Sequence, residues 1–423
     1  MAVYNEGDRV LKWRYTVDNI QIIIPDEDII TLPPQRLSRM SISNDYEKNV
    51  FPIFRINLQL ESSTYYKIIK NKDQVQFYLR IQKYYYTSDK SYESLKRDYI
   101  NDKFNLILDD NDPDLLYYMK QLQNKDDYKN IVQDDSNDLS KLNNVEFFLF
   151  KSTTIKNLKT NINIILQDAT MTDAIGYIAA TSKIKNLLMS PPNNTKIYDK
   201  IVIPPLTALD ALKFLDSYYG LYKNGSMIYF DFKYSYILNY IGNCTAYVTG
   251  EKQNTDIIIP KPISNHSVEP CTLYKGKNST NNSVVADYHS ILIRNNSISN
   301  DILVSNSITM IDNYTGEIKK ETSLAPNVND KNTIRIEEDQ TENQWITNTY
   351  VKQANASGVV INFVLSDYDA DMIAPNKKIN MIFEDSSLTA DYNGTYILSS
   401  ITHSFTKDGT DLVISSNATV KQG

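Results

Sequence analysis

Apolar and polar residues alternate along several short segments of this chain, the pattern of a strand with one face on a core. It is clearest in Phe54-Arg-Ile-Asn-Leu-Gln-Leu60, where Phe54, Ile56, Leu58 and Leu60 share one face and Arg55, Asn57 and Gln59 the other. Ile20 to Ile24, Val75 to Tyr84 and Val145 to Phe150 are also rich in β-branched and aromatic residues, with turn-forming breaks between them. An antiparallel β domain is therefore expected over 1–150. The stretch from about 87 to 144 is polar and rich in Asp and Lys, and is expected to be an insertion with short helical pieces.

Between 151 and 240 the period changes to that of helices. Thr170 and Asp173 form a capping pair opening a helix whose Ala174, Ile175, Ile178 and Ala179 share a face. Pro204-Pro205 lead into a second helix, with Thr207 and Asp210 as its capping pair and Ala208, Ala211, Leu212, Leu215 and Tyr219 at helical spacing. Gly220 supplies its stop. Asn224-Gly225 predicts a hairpin turn, with Met227 to Phe232 as the second strand.

From 241 to 332 the chain is polar and rich in Asn and Ser, as long connections on a β scaffold are. A short helix is expected near 342–357, with Thr341 and Gln344 as its capping box and Gly358 at its end. Strands return at Val359 to Leu365, Lys378 to Phe383, Gly394 to Phe405 and Asp411 to Ser415, with Asn393-Gly394 and Asp408-Gly409 as hairpin turns.

The 423 residues are 41% hydrophobic and 22% charged, enough for two or three domains with real cores. A net charge of −7 argues against a protein that neutralises nucleic-acid phosphates, while a mildly negative wall would let DNA pass without sticking. Cys244 and Cys271 are too few for a disulfide framework and stand in no redox or zinc spacing. Met1 to Tyr15 is charged and lacks the apolar stretch of a secretory signal, and no apolar run spans a bilayer, so synthesis in the cytoplasm without membrane insertion is expected.

Candidate chemistry adds little. None of the histidines His266, His289 and His403 lies in a metal-binding motif; His403, in a predicted strand, reads as a half-buried, hydrogen-bonded ring or an interface residue. Asp110-Asn-Asp-Pro-Asp114 and Asp367-Tyr-Asp-Ala-Asp371 space carboxylates as calcium loops do, but Leu115 and Met372 replace the glycine such loops need, so solvated loops are expected. No P-loop, nucleophile elbow or dinucleotide fingerprint is present, and nothing singles out a carboxylate pair. Catalytic, cofactor-binding and metal-binding residues are accordingly all read as none. Tyr84-Tyr-Tyr86 and Tyr218-Tyr219, in a chain with 31 tyrosines, suit a core or a subunit interface better than stacking on sugars or bases.

Three stretches carry a resemblance: Asn49-Val-Phe-Pro-Ile-Phe-Arg-Ile-Asn57; the Leu209 and Leu212 helix running into Tyr219-Gly-Leu-Tyr222; and Tyr392-Asn-Gly-Thr-Tyr-Ile-Leu-Ser-Ser-Ile-Thr-His-Ser-Phe405. Together they resemble baseplate hub proteins of contractile phage tails and related injection machines. The resemblance implies a mainly β chain with a smaller α/β part: a tube-like antiparallel barrel domain over 1–150, a helix-containing middle domain over 151–240, and a second barrel domain over 241–423. It further implies a virion protein of the tail baseplate without enzymatic activity, forming a homotrimeric ring that joins a sixfold tail tube to a threefold spike. The implied partners are a tube or tube-initiator protein, a central spike and wedge proteins, with DNA only in transit. Arg55, Asn57, Gln59 and His403 are the expected interface residues. A distal tail or tube-initiator protein, a glycan-degrading enzyme and a carbohydrate-binding module are the alternatives.

Overall fold

The alternating segments become the staves of a closed antiparallel barrel. In this computed structural model the structure describes residues 9–71, 74–87, 89–106, 142–222, 226–239, 244–246, 254–261, 271–274, 282–293, 307–312, 318–321, 333–338, 359–385, 387 and 389–422. Eight strands close the ring in the order Arg9–Ile23, Gln76–Thr87, Arg97–Leu106, Leu142–Phe150, Ile53–Glu61, Leu37–Asp45, Gly394–Asp408 and Asp411–Gln422. The last strand returns to the first where Leu412 lies opposite Tyr15. Closure removes the unpaired edges that an open sheet of such apolar strands would expose.

The inward face is the apolar half of each alternation: Tyr15, Ile20, Met40, Phe54, Ile56, Leu58, Phe77, Leu79, Phe104, Phe147 and Phe405 are all buried in one core. Each such side chain contributes roughly 1.5–3 kcal/mol by leaving water. The barrel interior is therefore a packed core, as expected for eight strands, whose interior is just wide enough for side chains to fill.

Further C-terminal strands extend this sheet. Lys378–Phe383 pairs with Gly394–Asp408, Asn254–Ile259 runs parallel beside it, and Asn282–Val285 and Cys271–Tyr274 follow. Cys271–Tyr274 then pairs back onto the first barrel strand, with Leu11 opposite Thr272. Val359–Ser366 lies along Asp411–Gln422 and carries Tyr288–Ile293 on its other edge.

A second core belongs to the helical region. Strands Asn161–Ala169 and Tyr198–Thr207 form a two-stranded sheet under helices Met171–Thr181 and Ala208–Phe214, the latter continuing as a wide turn over Leu215–Tyr219. The first helix opens with the expected capping box, in which Thr170 accepts the Asp173 N–H at 3.3 Å and donates its own N–H to the Asp173 carboxylate at 2.8 Å. Thr207 accepts the Asp210 N–H at 3.2 Å, and Gly220 ends that helix with φ of 71°. The three-stranded sheet of Leu187–Met189, Ser226–Phe230 and Ser235–Asn239 joins the two cores, because Tyr229 and Tyr236 face the barrel core while Phe230 and Ile237 face the helices.

Several expectations are corrected. Arg97–Leu106, inside the polar stretch, is a barrel strand whose Ile100, Phe104 and Leu106 are buried. Ser226–Phe230 opens a hairpin rather than closing one: it pairs with Ser235–Asn239 around a turn at Asp231–Tyr234. Asn393-Gly394 is not a tight turn, since a short helix, Thr389–Tyr392, intervenes and the Asn393 side chain instead accepts the Phe383 N–H at 2.7 Å. Asp408-Gly409 does turn a hairpin, with Asp408 opposite Asp411 and Gly409 at φ of 63°. The Asn224-Gly225 turn, the run Asp110 to Asp114 and the helix near 342–357 lie outside the described residues.

Candidate functional site

The acidic run Asp367 to Asp371 leaves strand Val359–Ser366 and folds over the barrel, where its carboxylates meet cations from elsewhere in the chain. Asp367 pairs with Arg14 at 2.5 Å. Lys83, at an inward position of a barrel strand and 7% exposed, holds Asp369 at 2.5 Å and Asp371 at 2.6 Å. Lys233, from the Asp231–Tyr234 turn, reaches both oxygens of Asp371 at 2.8 and 3.0 Å. The solvated-loop expectation is thus overturned, because alternation in this run aims the carboxylates at cations that only folding brings near.

Electrostatics follow from this geometry. Burial pushes the Asp371 carboxyl up, but the Lys233 and Lys83 ammoniums outweigh it and hold the group well below the usual carboxylate range. Burial likewise works against the Lys83 ammonium, and Asp369 and Asp371 reverse it, raising its pKa. Asp231 behaves differently. Its burial wins over the N–H groups of Tyr234 and Lys233 and the Tyr236 hydroxyl that it accepts, so its carboxyl is raised.

Beside this crossing lies a cleft of about 310 Å³ between the barrel, the hairpin turn and the 370–376 segment, walled by Tyr46, Tyr99, Phe232, Tyr234 and Tyr236. His403 forms part of its floor. The His403 Nδ1 lies 3.0 Å from both the Tyr368 hydroxyl and the Ser416 hydroxyl, and burial lowers its pKa to about 4.

The four expected interface residues divide. Arg55, Asn57 and Gln59 occupy alternate, half-buried positions on the outer side of Ile53–Glu61. The Arg55 guanidinium lies 4.8 Å from the Phe148 ring centroid, and Asn57 accepts the Ser38 hydroxyl at 3.1 Å. His403 does not join them: it is buried, opposite Ile42, on the inward side. Its reading as a hydrogen-bonded ring holds, with full rather than half burial.

The tyrosine runs are packed or tied. Tyr84 donates to Asp411 at 2.8 Å, Tyr85 lies 5.0 Å from Trp13, Tyr218 stacks on Phe214 at 5.1 Å, and the Tyr219 hydroxyl accepts the Val202 N–H at 3.1 Å. Cys244 is buried, its thiol pushed up to about 11. Among the described residues no three His, Cys, Asp or Glu are placed to hold a metal ion, and no helix is long and apolar enough to cross a membrane. Lys83, Lys233 and Asp231 were not singled out from the sequence; only the Asp-x-x-Tyr turn at 231–234 offered a local signal.

Comparison with solved structures finds chains of similar fold at low identity. A chain of the Francisella PdpA-VgrG complex matches at 10% identity over 97% of this chain and 53% of its own length, with a TM-score of 0.50. The tail protein from Neisseria meningitidis MC58 matches at 9% identity over 97% of both chains, TM-score 0.49. The 43 kDa tail protein of prophage MuSo2 from Shewanella oneidensis matches at 10% over 96% of this chain and 98% of its own, TM-score 0.49. No curated protein matches. The model of one family, described as the Bacteriophage PBS1 gene 109 protein, matches residues 7–423. With that match spanning nearly its whole length, the chain belongs to the Bacteriophage PBS1 gene 109 protein family.

Proposed function

We propose that this protein is the hub subunit of a phage tail baseplate, a homotrimer whose ring joins a sixfold tail tube to a threefold spike. The observation that carries the reading is the second circuit of strand pairing. Strands Cys271–Tyr274, Asn282–Val285, Asn254–Ile259 and Lys378–Phe383 leave the eight-stranded barrel at Gly394–Asp408 and rejoin it at Arg9–Ile23. Read as a second barrel sharing strands with the first, this circuit gives each chain two tube-like units, and three chains then present six to a sixfold tube.

In this reading 1–150 supplies most of the first barrel, 151–240 is the middle domain and 241–423 supplies the second barrel together with the closing strands of the first. The barrel itself is filled by side chains, so DNA passes through the ring between subunits. Arg55, Asn57 and Gln59 lie on the outer barrel wall and are assigned to contacts with a neighbouring subunit or a tube protein. The fold shared with a chain of the PdpA-VgrG complex supports partners among injection-machine components.

Light scattering on the purified protein, with negative-stain images of the same sample, tests the proposal. A ring-shaped trimer, alone or on adding the spike protein, is the expected result. A hexamer with one barrel per chain would point to the tube class, and a monomer indifferent to tail proteins would sink the hub reading.

A further inference from the structure

Lys83, Asp371 and Lys233 come from three regions distant in sequence: a barrel strand, the segment between two C-terminal strands, and the turn of the middle hairpin. The seam that these regions share is largely apolar, with Met227, Tyr229, Tyr236 and Leu238 of the hairpin sheet packed into the barrel core, and two hydrogen bonds cross it, from the Tyr229 hydroxyl to Asn44 Oδ1 at 2.8 Å and from the Phe230 N–H to the Val50 carbonyl at 2.9 Å. Such burial drives contact but is non-directional, so several seatings of the hairpin would hide comparable area. Ionic groups discriminate among seatings. Lys83 and Asp369 are buried, their side chains 9% and 14% exposed, and such charges are tolerated only where a partner waits, while Lys233 and Asp371, about a third exposed, are held by direct bonds that this seating makes.

The geometry of the crossing is that of a single fit. Asp371 presents Oδ2 to Lys83 at 2.6 Å and both oxygens to Lys233 at 2.8 and 3.0 Å, while Asp369 takes a second bond from Lys83 at 2.5 Å. Two lysines balance two aspartates. The Lys233 ammonium also sits 4.6 Å from the Tyr99 ring centroid and the Lys83 ammonium 5.4 Å from that of Trp13, which fixes each cation against a barrel ring. Asp231 is held by the N–H groups of its own turn and by Tyr236, and the Lys233 charge acts on it as well.

We propose that the Lys83–Asp371–Lys233 bridge is an orientation lock, which selects one seating of the hairpin Ser226–Asn239 on the barrel from those that the apolar seam alone would tolerate. The lock acts on uniqueness and not on overall stability, since the part-exposed Lys233–Asp371 pair contributes little and the buried Lys83–Asp369 pair, replaced whole by apolar groups, often leaves stability unchanged or raised.

The test compares the full-length protein with a variant carrying Lys83→Met, Lys233→Met, Asp369→Asn and Asp371→Leu together. Amide hydrogen exchange is read in 226–239 and, as an internal reference, in the barrel strand Ile53–Glu61, alongside the denaturant midpoint. The expected result is a midpoint at or above that of the parent, with exchange in 226–239 faster by at least tenfold relative to the reference strand. An unchanged ratio overturns the lock. Should the fourfold variant fail to fold, Lys233→Met alone, which keeps both Lys83 pairs, is read in the same way; a threefold or greater rise in the ratio is expected and an unchanged ratio again overturns the proposal.

Discussion

The Tyr15 hydroxyl accepts the backbone N–H of Ala370 at 2.9 Å and donates to the Tyr368 carbonyl at 3.3 Å, so a ring inside the barrel fastens a segment that begins at the far end of the chain. Tyr15 is fully buried, with Tyr99 and Phe405 edge-on at 5.0 and 4.9 Å. Tyr15→Phe keeps these rings but leaves the Ala370 N–H buried without its acceptor. The expected loss is about 1–3 kcal/mol, read as a lower denaturant midpoint at unchanged slope. An unchanged midpoint would show that the hydroxyl carries no net stability.

His403 sets an acid limit on the fold. Its folded pKa is depressed to about 4 from an ordinary 6.5, so the unfolded chain binds the proton first as pH falls. Stability is therefore lost progressively from about pH 6.5 down to about pH 4, by on the order of 3 kcal/mol in full. Asp231 acts in the opposite direction, because its raised pKa makes protonation favour the folded state. The decisive comparison is His403→Gln, whose midpoint should decline less steeply than the parent's across that window. Parallel pH profiles would remove His403 from the account.

The Thr170 capping box offers a smaller, local measurement. Thr170→Ala removes the acceptor for the Asp173 N–H at the start of helix Met171–Thr181, at a cost of about 1 kcal/mol. Leu212→Ala, in the core between this helix and the next, removes a fully buried side chain and should cost about 2–5 kcal/mol. Thermal or denaturant unfolding that ranked the two in the reverse order would contradict the packing described.

Gln59→Lys tests the assignment of the outer barrel wall. The position is half-buried and outward, so the change should move the unfolding midpoint by no more than about 0.5 kcal/mol while weakening self-association or tube binding at least tenfold. Retained assembly at equal affinity would take this face out of the interface.

The local rules of the chain were written in its sequence. Alternation at Phe54 to Leu60 gave the strand and its buried face, Thr170 with Asp173 and Thr207 with Asp210 gave the helix starts, and Asp408-Gly409 gave a hairpin. All rest on interactions within a few residues, where side-chain period and backbone preference are fixed by covalent geometry. What no local pattern carries is the choice of partner. That Asp411–Gln422 closes the barrel on Arg9–Ile23, that Arg97–Leu106 is a stave despite its polar surroundings, and that His403 faces inward were all decided by the packing of a shared core. The run Asp367 to Asp371 shows the reason most plainly. Its charges predict solvent when read alone, and they are drawn inward because folding places Arg14, Lys83 and Lys233 within bonding distance of groups that the sequence keeps far away.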